Sequence, residues 1–214
     1  MKGIIFTNGS YLEVRFYLSY LQKYPEAMII CADGGTNFAK KAGIKPDLII
    51  GDMDSVSQKI LTQYTKEGVT ILKASTHKNE TDTELAVEYC IKKGFEEVVL
   101  FGALGDRLDH SFGNLYLLNR LLKAGIKGKI INEKNCIFLV EHQVELEVKK
   151  GDTVSILSFV DRSEGINLRG FEYLVTEGVM EHYLPGYGIS NVALEEHPVI
   201  SVKKGILLVD IVHE

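Results

Sequence analysis

The feature that most constrains the fold is the alternation of short apolar runs with helical patterns along the first part of the chain. The apolar runs predict strands at residues 3–6, 27–31, 48–50, 69–72 and 97–101. Apolar residues at helical spacing predict helices at residues 11–23, 57–67, 81–93 and 109–123. Because strands that alternate with helices usually run parallel, this order predicts an α/β domain with helices on both faces of a parallel sheet.

The pattern changes near residues 125–134. Beyond them, short runs of alternating character are separated by turn-forming pairs such as Gly151-Asp152 and Lys204-Gly205. Strands at this close spacing predict a smaller antiparallel β-sandwich or barrel. A chain of 214 residues is long enough for two small domains. We therefore expect an α/β domain over residues 1–131 and a β-rich domain over residues 132–214.

The composition argues against several classes of protein. A formal net charge of -5 and the lack of a basic stripe argue against a nucleic-acid partner. No apolar run approaches the ~20 residues that span a membrane, and the N-terminal run is too short for the core of a signal peptide. The three cysteines are far apart and form no CxxC pair, which argues against zinc and favours a cytoplasmic location.

Acidic residues follow four of the predicted strands and precede helices. In chain order they are Asp33, Asp52 and Asp54, Asp82, and Asp106 with Asp109. Because the carboxyl ends of parallel strands meet at one edge, where open α/β sheets bind ligands, we expect these side chains to converge.

Each acidic position also has a purely structural interpretation. Thr81 with Glu84 fits a capping box at the start of a helix. Ser55 with Gln58 fits the same pattern. Asp109 could be the N-cap of the helix that follows it. Taken one at a time these interpretations are as good as functional ones, but the gathering of all the clusters at one edge favours function.

Several carboxylates in one crevice repel one another, and their pKa values would rise unless a cation were present. Mg²⁺ prefers oxygen ligands and typically uses one or two carboxylates together with substrate phosphates. The sequence therefore predicts that Asp52 and Asp54 hold Mg²⁺ on a polyphosphate substrate.

Phosphate also requires direct donors. Arg107 and Lys78 lie within the acidic clusters, and Gly34-Gly35 is placed at a helix start, where backbone N–H groups can approach an anion. No GxxxxGK[ST] string occurs, so the chain is not a P-loop protein.

Five strings, "CADGGTN", "PDLIIGDMDS", "NETDTELA", "GALGDRLDH" and "GISN", occur in the order found in the thiamine pyrophosphokinase family. The chain resembles that family over nearly its whole length. The resemblance implies an α/β catalytic domain followed by a β-rich domain. It also implies transfer of pyrophosphate from ATP to the hydroxyethyl group of thiamine, which gives thiamine diphosphate and AMP. Mg²⁺ would be the cofactor, and a homodimer would bind thiamine between its subunits.

The resemblance also implies roles for individual residues. The catalytic residues would be Asp52, Asp54, Asp82, Arg107 and Asp109. The metal would be held by Asp52, Asp54 and Asp82. The residues binding ATP or its phosphates would be Asp33, Gly34, Gly35, Asn37, Lys78, Thr81 and His110. Ser190 and Asn191 match a pair in the thiamine pocket. Asn79 stands where the family usually has an acidic residue, and Asp106 where it usually has glycine.

Two assignments stay open at this point. Either Asp82 or Asp109 could orient or deprotonate the thiamine hydroxyl. Tyr173, Tyr183 and Tyr187 could stack on the thiamine ring, although a core or surface role is favoured for each.

Two rival interpretations remain. "LIIGDMDSV" resembles the nucleophile motif of haloacid-dehalogenase-like phosphatases, with Asp52 as the nucleophile, and "GDRLD" resembles their late acidic motif with one residue missing. The other rival is a non-catalytic nucleotide or thiamine sensor. The intact set of Asp52, Asp54, Arg107 and Asp109 favours an enzyme over a sensor.

Overall fold

A computed structural model describes residues 1–75 and 79–213, which divide into two compact units, Met1–Glu133 and Lys134–Glu214. Within the described ranges, every helix is too short or too polar to cross a membrane.

The first unit is built on a sheet of six parallel strands. The strands are β1 (Lys2–Phe6), β2 (Met28–Ala32), β3 (Leu48–Gly51), β4 (Thr70–Lys73), β5 (Glu97–Phe101) and β6 (Lys127–Ile131). The helices are α1 (Val14–Lys23), α2 (Gly35–Lys41), α3 (Gln58–Lys66), α4 (Asp82–Lys92) and α5 (Leu108–Lys123). The strand order is β6-β5-β1-β2-β3-β4, and all neighbouring pairs are parallel. The predicted parallel α/β fold is confirmed.

The central strands form the core of this unit. Ile4, Ile5 and Phe6 of β1 have no exposed surface. Tyr17 of α1 is also fully buried, and its ring lies 6.5 Å from that of Phe6 and 5.0 Å from that of Phe101. Strands buried in this way read as continuous apolar runs, which is why the sequence reveals them clearly.

Strand β6 is absent from the predicted set because its sequence, "KGKII", is apolar only at its end. It pairs with β5 in parallel register. Gly128 packs closely against α5, since a Cβ there would lie 2.8 Å from Cδ1 of Leu121. The strand is therefore defined by packing against a helix, which a short sequence window does not show.

Two predicted helix caps have different outcomes. Thr81 caps α4 as predicted, because its Oγ1 accepts a hydrogen bond from the N–H of Glu84 at 3.1 Å. The cap of α3 is Ser57, which accepts from the N–H of Ile60, so the predicted cap at Ser55 is wrong by two residues.

The starts of α5 and α1 also differ from expectation. The N-cap residue of α5 is Arg107, so Asp109 lies in the first turn and the capping interpretation is wrong. Helix α1 starts at Val14 rather than residue 11, because the Glu133 carboxylate accepts hydrogen bonds from the N–H groups of Leu12 and Glu13, both at 2.8 Å. A side chain remote in sequence thus fixes the backbone just before α1.

The second unit contains two antiparallel sheets. Its strands are β7 (Asn135–Val140), β8 (Gln143–Glu145), β9 (Thr153–Ser158), β10 (Arg162–Arg169), β11 (Val175–Glu181), β12 (Asn191–Val192), β13 (Val199–Ser201) and β14 (Leu207–Val212). The sheet orders are β12-β9-β14-β7 and β11-β10-β13-β8. Ile156, Val209 and Ile211 of one sheet share a core with Ile166 and Ile200 of the other. The predicted antiparallel sandwich is confirmed.

Candidate active site

The edge formed by the carboxyl ends of the parallel strands contains the main cavity of the first unit. From β1 the chain adds β2, β3 and β4 on one side and then returns to place β5 on the other side of β1. The switch point therefore lies between β1 and β5, where open α/β sheets bind ligands. A cavity of about 480 Å³ lies there, lined by residues that follow β1, β2, β3 and β5 and by the starts of α4 and α5. Its size is typical of a small-molecule site.

Three carboxylates converge at this edge. One oxygen from each of Asp33, Asp52 and Asp82 lies within 4.8 Å of the other two. Asp33 is 5% exposed, and its Oδ1 is buried without a hydrogen-bond partner in the described structure. Burial raises the pKa of Asp33, hydrogen bonding with Ser55 partly opposes that rise, and the negative charges of Asp82 and Asp54 add to it. A divalent cation would supply the missing partner and remove the repulsion.

The backbone is shaped to bring these carboxylates together. Asp33 has a φ of 35° and Met53, between the two aspartates of the "DMD" string, has a φ of 67°. Gly51 has a φ of 148°, and a Cβ on it would lie 2.9 Å from Cβ of Asp33 and 2.9 Å from Oδ1 of Asp82. Non-glycine residues in this region of φ are sparse and concentrate at functional sites.

Asp54 occupies a different position from the three converging carboxylates. It is exposed and lines the cavity, and its Oδ1 accepts a hydrogen bond from Ser55 Oγ at 2.8 Å. Its N–H donates to Oδ1 of Asp52 at 3.2 Å. The structure therefore brings Asp33 beside Asp52 and Asp82, whereas Asp54 lies outside that cluster, at another point of the cavity wall.

Arg107 and Asp109 form an exposed ion pair at the start of α5. Arg107 donates from Nη2 to Oδ2 of Asp109 at 2.6 Å and from Nε to Oδ1 at 3.2 Å. The hydrogen bond from Arg107 lowers the pKa of Asp109, and the same bond raises the pKa of Arg107. Arg107 and His110 line the cavity, so a guanidinium and an imidazole lie in its wall.

Two residues of α5 that sequence reasoning missed hold the loop between β5 and α5. Asn114 is 8% exposed, and its Nδ2 donates to the carbonyl of Ala103 at 2.7 Å. Ser111 Oγ accepts from the N–H of Gly105 at 3.1 Å and lies 3.2 Å from the carbonyl of Arg107. Their positions one turn apart after "GDRLDH" are the only sequence signal, and it is weak.

Two residues of the "DGGTN" segment are explained by contacts within the protein. A Cβ on Gly35 would lie 2.1 Å from the carbonyl oxygen of Phe6. Asn37, predicted to bind phosphate, donates from Nδ2 to the carbonyl of Ser55 at 2.9 Å and so supports the loop after β3. Gly34 lines the cavity directly.

The remaining predicted residues of the first unit divide into two groups. Thr81 and Asp106 line the cavity, and Asp106 adds negative charge where the family pattern has glycine. Lys78 lies outside the described residues. The cavity also includes the loop after β1, residues 7–10, which sequence reasoning missed because it contains no charged side chain.

Ser190 and Asn191 lie in the second unit. Asn191 is 3% exposed; its Nδ2 donates to the carbonyl of Tyr173 at 2.8 Å, and its Oδ1 accepts from the N–H groups of Tyr173 at 3.0 Å and Val192 at 2.9 Å. Ser190 is exposed with a φ of 60°, and its N–H donates to Ser155 Oγ at 3.1 Å. Asn191 therefore fixes the backbone beside Tyr173.

The three tyrosines considered for stacking are all exposed. Tyr173 is 65% exposed, Tyr183 62% and Tyr187 59%. Tyr183 donates a hydrogen bond to Glu181, whereas Tyr187 lies in a short 3-10 turn. Of the core and surface positions favoured for them, each tyrosine therefore takes the surface one.

Two family models match the chain. The model described as "Thiamin pyrophosphokinase, catalytic domain" matches residues 21–130. The model described as "Thiamin pyrophosphokinase, vitamin B1 binding domain" matches residues 141–207. The two matched segments fall in the first and the second unit, respectively. The loop at residues 7–10 precedes the first matched segment.

Similar proteins agree with these matches. Thiamine pyrophosphokinase of Bacillus subtilis (strain 168) is 30% identical over 184 residues, which cover 84% of each chain. Thiamine pyrophosphokinase 1 of Oryza sativa subsp. japonica is 29% identical over 55% of this chain and 53% of that protein. The fold is similar to the crystal structure of the Bacillus subtilis enzyme, with a TM-score of 0.88, 24% identity and 100% of both chains covered. Yeast thiamin pyrophosphokinase gives a TM-score of 0.80 at 18% identity, with 99% of this chain and 86% of that chain covered. This chain belongs to the thiamine pyrophosphokinase family.

Proposed function

We propose that this chain transfers the pyrophosphoryl group of ATP to the hydroxyethyl group of thiamine. Thiamine pyrophosphokinases make thiamine diphosphate from thiamine and ATP. The observation that carries the proposal is the convergence of Asp33, Asp52 and Asp82 within 4.8 Å at the carboxyl edge of the sheet, where Asp33 and Asp82 line the same cavity as Arg107. Acids that gather at a cationic side chain suit a metal-bound polyphosphate.

Mg²⁺ suits the residues present at this edge. The donor set is three carboxylates, one of which keeps a buried oxygen without a partner in the described chain. Asp33, Asp52 and Asp82 would hold the ion, with Asp54 close by in the wall. When bound, Mg²⁺ neutralises phosphate charge and makes the β-phosphorus of ATP more electrophilic.

The protein side chains then have distinct tasks in the transfer. The hydroxyl oxygen of thiamine forms a bond to the β-phosphorus, the bond from that phosphorus to the α,β-bridging oxygen breaks, and AMP leaves. Arg107 stabilises negative charge on the leaving phosphate. We assign the orientation of the thiamine hydroxyl, and receipt of its proton, to Asp109, because Asp82 belongs to the carboxylate cluster.

The second unit supplies the thiamine side of the reaction in this proposal. Asn191 holds the backbone of Tyr173, whose ring is exposed and free to contact a flat cation. Ser190, whose backbone is strained, directly precedes Asn191. We propose a homodimer with thiamine bound between subunits, following the family resemblance. We also propose a cytoplasmic location, which the buried free thiols of Cys31 and Cys90 support.

A product analysis tests this function. The purified protein is incubated with ATP, Mg²⁺ and thiamine, and the nucleotides are resolved by chromatography. We expect AMP and thiamine diphosphate in equal amounts, and no AMP when thiamine is omitted. Formation of ADP would indicate transfer of a single phosphate and contradict the proposal. Thiamine-independent hydrolysis of phosphate esters, with a phosphorylated Asp52, would favour the phosphatase instead.

A further inference from the structure

We propose that the loop between β1 and α1, residues 7–10, binds the nucleoside monophosphate part of ATP, the part released as AMP. The binding groups are the side-chain amide of Asn8 and the hydroxyl of Ser10. This inference rests on the proposed function, because it assigns one part of the ATP substrate to one wall of the cavity.

The position of the loop is the first argument. It follows β1, and the loop from Gly102 to Arg107 follows β5, so the two loops leave the sheet on either side of the switch point. Ligands of open α/β sheets bind where neighbouring strands send their connections apart. All four residues of the loop line the cavity of about 480 Å³.

Glycine contacts hold the two loops together. The N–H of Ser10 donates to the carbonyl of Leu104 at 2.8 Å. A Cβ on Gly9 would lie 2.1 Å from the carbonyl oxygen of Gly102, and one on Gly105 would lie 3.2 Å from Cα of Gly9. A side chain on Gly9 would clash with the backbone, and one on Gly105 would be tight, so the two loops pack backbone against backbone and this wall is preorganised for binding.

The base of the loop is fixed as well. The hydroxyl of Tyr11 donates to the carbonyl of Thr7 at 2.6 Å, and its ring stacks on Phe38 at a centroid distance of 3.7 Å. The N–H of Thr7 donates to the carbonyl of Phe101 at 2.9 Å. Because these contacts fix the backbone at the base of the loop, ordering the loop around a ligand should cost little conformational entropy.

Asn8 and Ser10 have hydrogen-bonding capacity that the protein does not use. Both are exposed in the cavity wall, and neither side chain has a hydrogen-bond partner within residues 1–75 and 79–213. Asn8 lies against Gly34, where a Cβ would be 2.3 Å from Cγ of Asn8, and is thus next to Asp33. Its neutral N–H donors are suited to a phosphate or ribose oxygen close to a carboxylate cluster.

The division of the cavity follows from its charges. The side with Asp33, Asp52 and Asp82 is acidic and requires a cation, so it takes the metal-bound pyrophosphoryl half of ATP. The wall formed by residues 7–10 is neutral and offers donors, so it takes the half that carries less phosphate charge. The whole cavity is large enough for both halves.

The test compares two ligands on the intact protein. Calorimetric titration measures the dissociation constants of AMP and of magnesium pyrophosphate for wild type, Asn8→Ala and Ser10→Ala. Each substitution should raise the dissociation constant of AMP by about three- to tenfold, the factor expected for a hydrogen bond. The dissociation constant of magnesium pyrophosphate should stay within about twofold of the wild-type value. Thr62→Ala, on the exposed face of α3, is the matched control and should change neither.

Asn8→Asp is the stronger variant because it keeps the shape of the side chain against Gly34 but replaces donors with a negative charge. It should weaken AMP binding more than Asn8→Ala does. Unchanged AMP binding in all three variants would overturn the inference, and so would an equal loss of both ligands, because the loop would then only support the fold of the site. Absence of AMP production from ATP and thiamine by wild type, with AMP binding still dependent on Asn8, would defeat the proposed reaction and leave the loop assignment intact.

Discussion

The acidic edge of the first unit and the Ser190–Asn191 segment of the second both carry strings that resemble the family, but their polar side chains are engaged differently. At the acidic edge, Asp33 keeps a buried oxygen without a partner in the described chain, beside two further carboxylates. In the second unit, both ends of the Asn191 amide are engaged by backbone groups. Polar atoms that converge on a cavity without hydrogen-bond partners indicate a ligand site. Polar atoms whose hydrogen bonds are all made to the backbone indicate support of the fold.

The largest effect that tests this contrast is expected at Asp52. Asp52→Asn removes a charged metal ligand, and the rate of AMP formation should fall by about a thousandfold, equivalent to about 4 kcal/mol. The free energy of unfolding without metal should stay equal or rise, because repulsion with Asp33 and Asp82 is relieved. Steady-state kinetics and urea unfolding measure the two quantities.

Asp161→Asn is the matched control, since the Asp161 side chain is 91% exposed in the second unit. It should alter neither the rate of AMP formation nor the affinity for Mg²⁺. A folded Asp52→Asn protein with near wild-type turnover would remove the cluster from catalysis.

Sequence reasoning located this edge because every acidic string follows a strand of a parallel sheet. It did not distinguish the position of Asp33 from that of Asp54, because the arrangement depends on positive φ values at Asp33 and Met53 and on the absence of a Cβ at Gly51. Such backbone geometry is a tertiary property and leaves little trace in a short string.

The sequence did not reveal the neutral wall of the cavity, residues 7–10, for a different reason. Asn8 and Ser10 resemble ordinary turn residues, and only the placement of β1 next to β5 shows that they border the cavity. Strand β6 and the start of α1, where Glu133 binds the backbone of Leu12 and Glu13, likewise depend on partners remote in sequence.

The next largest effect is expected at Arg107, whose guanidinium is engaged by Asp109 in this structure. Arg107→Ala should lower kcat by about a hundred- to a thousandfold, because charge on the leaving phosphate loses its partner. The melting temperature should not change, since exposed ion pairs contribute little to stability.

Arg107→Lys separates charge from geometry. It should retain part of the rate, because lysine keeps the charge but loses the planar two-point contact. A loss in Arg107→Ala that appeared only in KM for thiamine, with kcat unchanged, would contradict the assignment to the leaving phosphate.

A smaller effect, on stability rather than rate, is expected at Asn191. Asn191→Ala leaves the carbonyl and N–H of Tyr173 and the N–H of Val192 without their partner, and should lower the free energy of unfolding by about 2 kcal/mol. Ser190→Ala, one residue away and exposed, should change it by less than about 0.5 kcal/mol. Equal effects in urea unfolding would show that Asn191 is not the structural member of the pair.

The smallest expected effect tests whether a buried oxygen without a partner marks a functional site when no other carboxylates converge on it. Asp210 in β14 also has a buried oxygen without a partner among the described residues, but it does not belong to the carboxylate cluster. Burial raises its pKa from the ordinary 3.8 to about 6, with His213 acting in the opposite direction. The folded state therefore binds this proton more tightly than the unfolded state, and stability is lost as pH rises through about 6.

Asp210→Asn should consequently be more stable than wild type at pH 8, by about 1–2 kcal/mol, because the variant no longer buries a charged carboxylate. The difference should vanish below about pH 4, where the carboxyl is protonated in both the folded and the unfolded state. Urea unfolding in metal-free buffer at both pH values measures it. Turnover should be unchanged, since an isolated buried carboxylate without converging partners has no ligand to hold. A large loss of activity in Asp210→Asn would show that convergence is not the criterion that separates a site from a structural position.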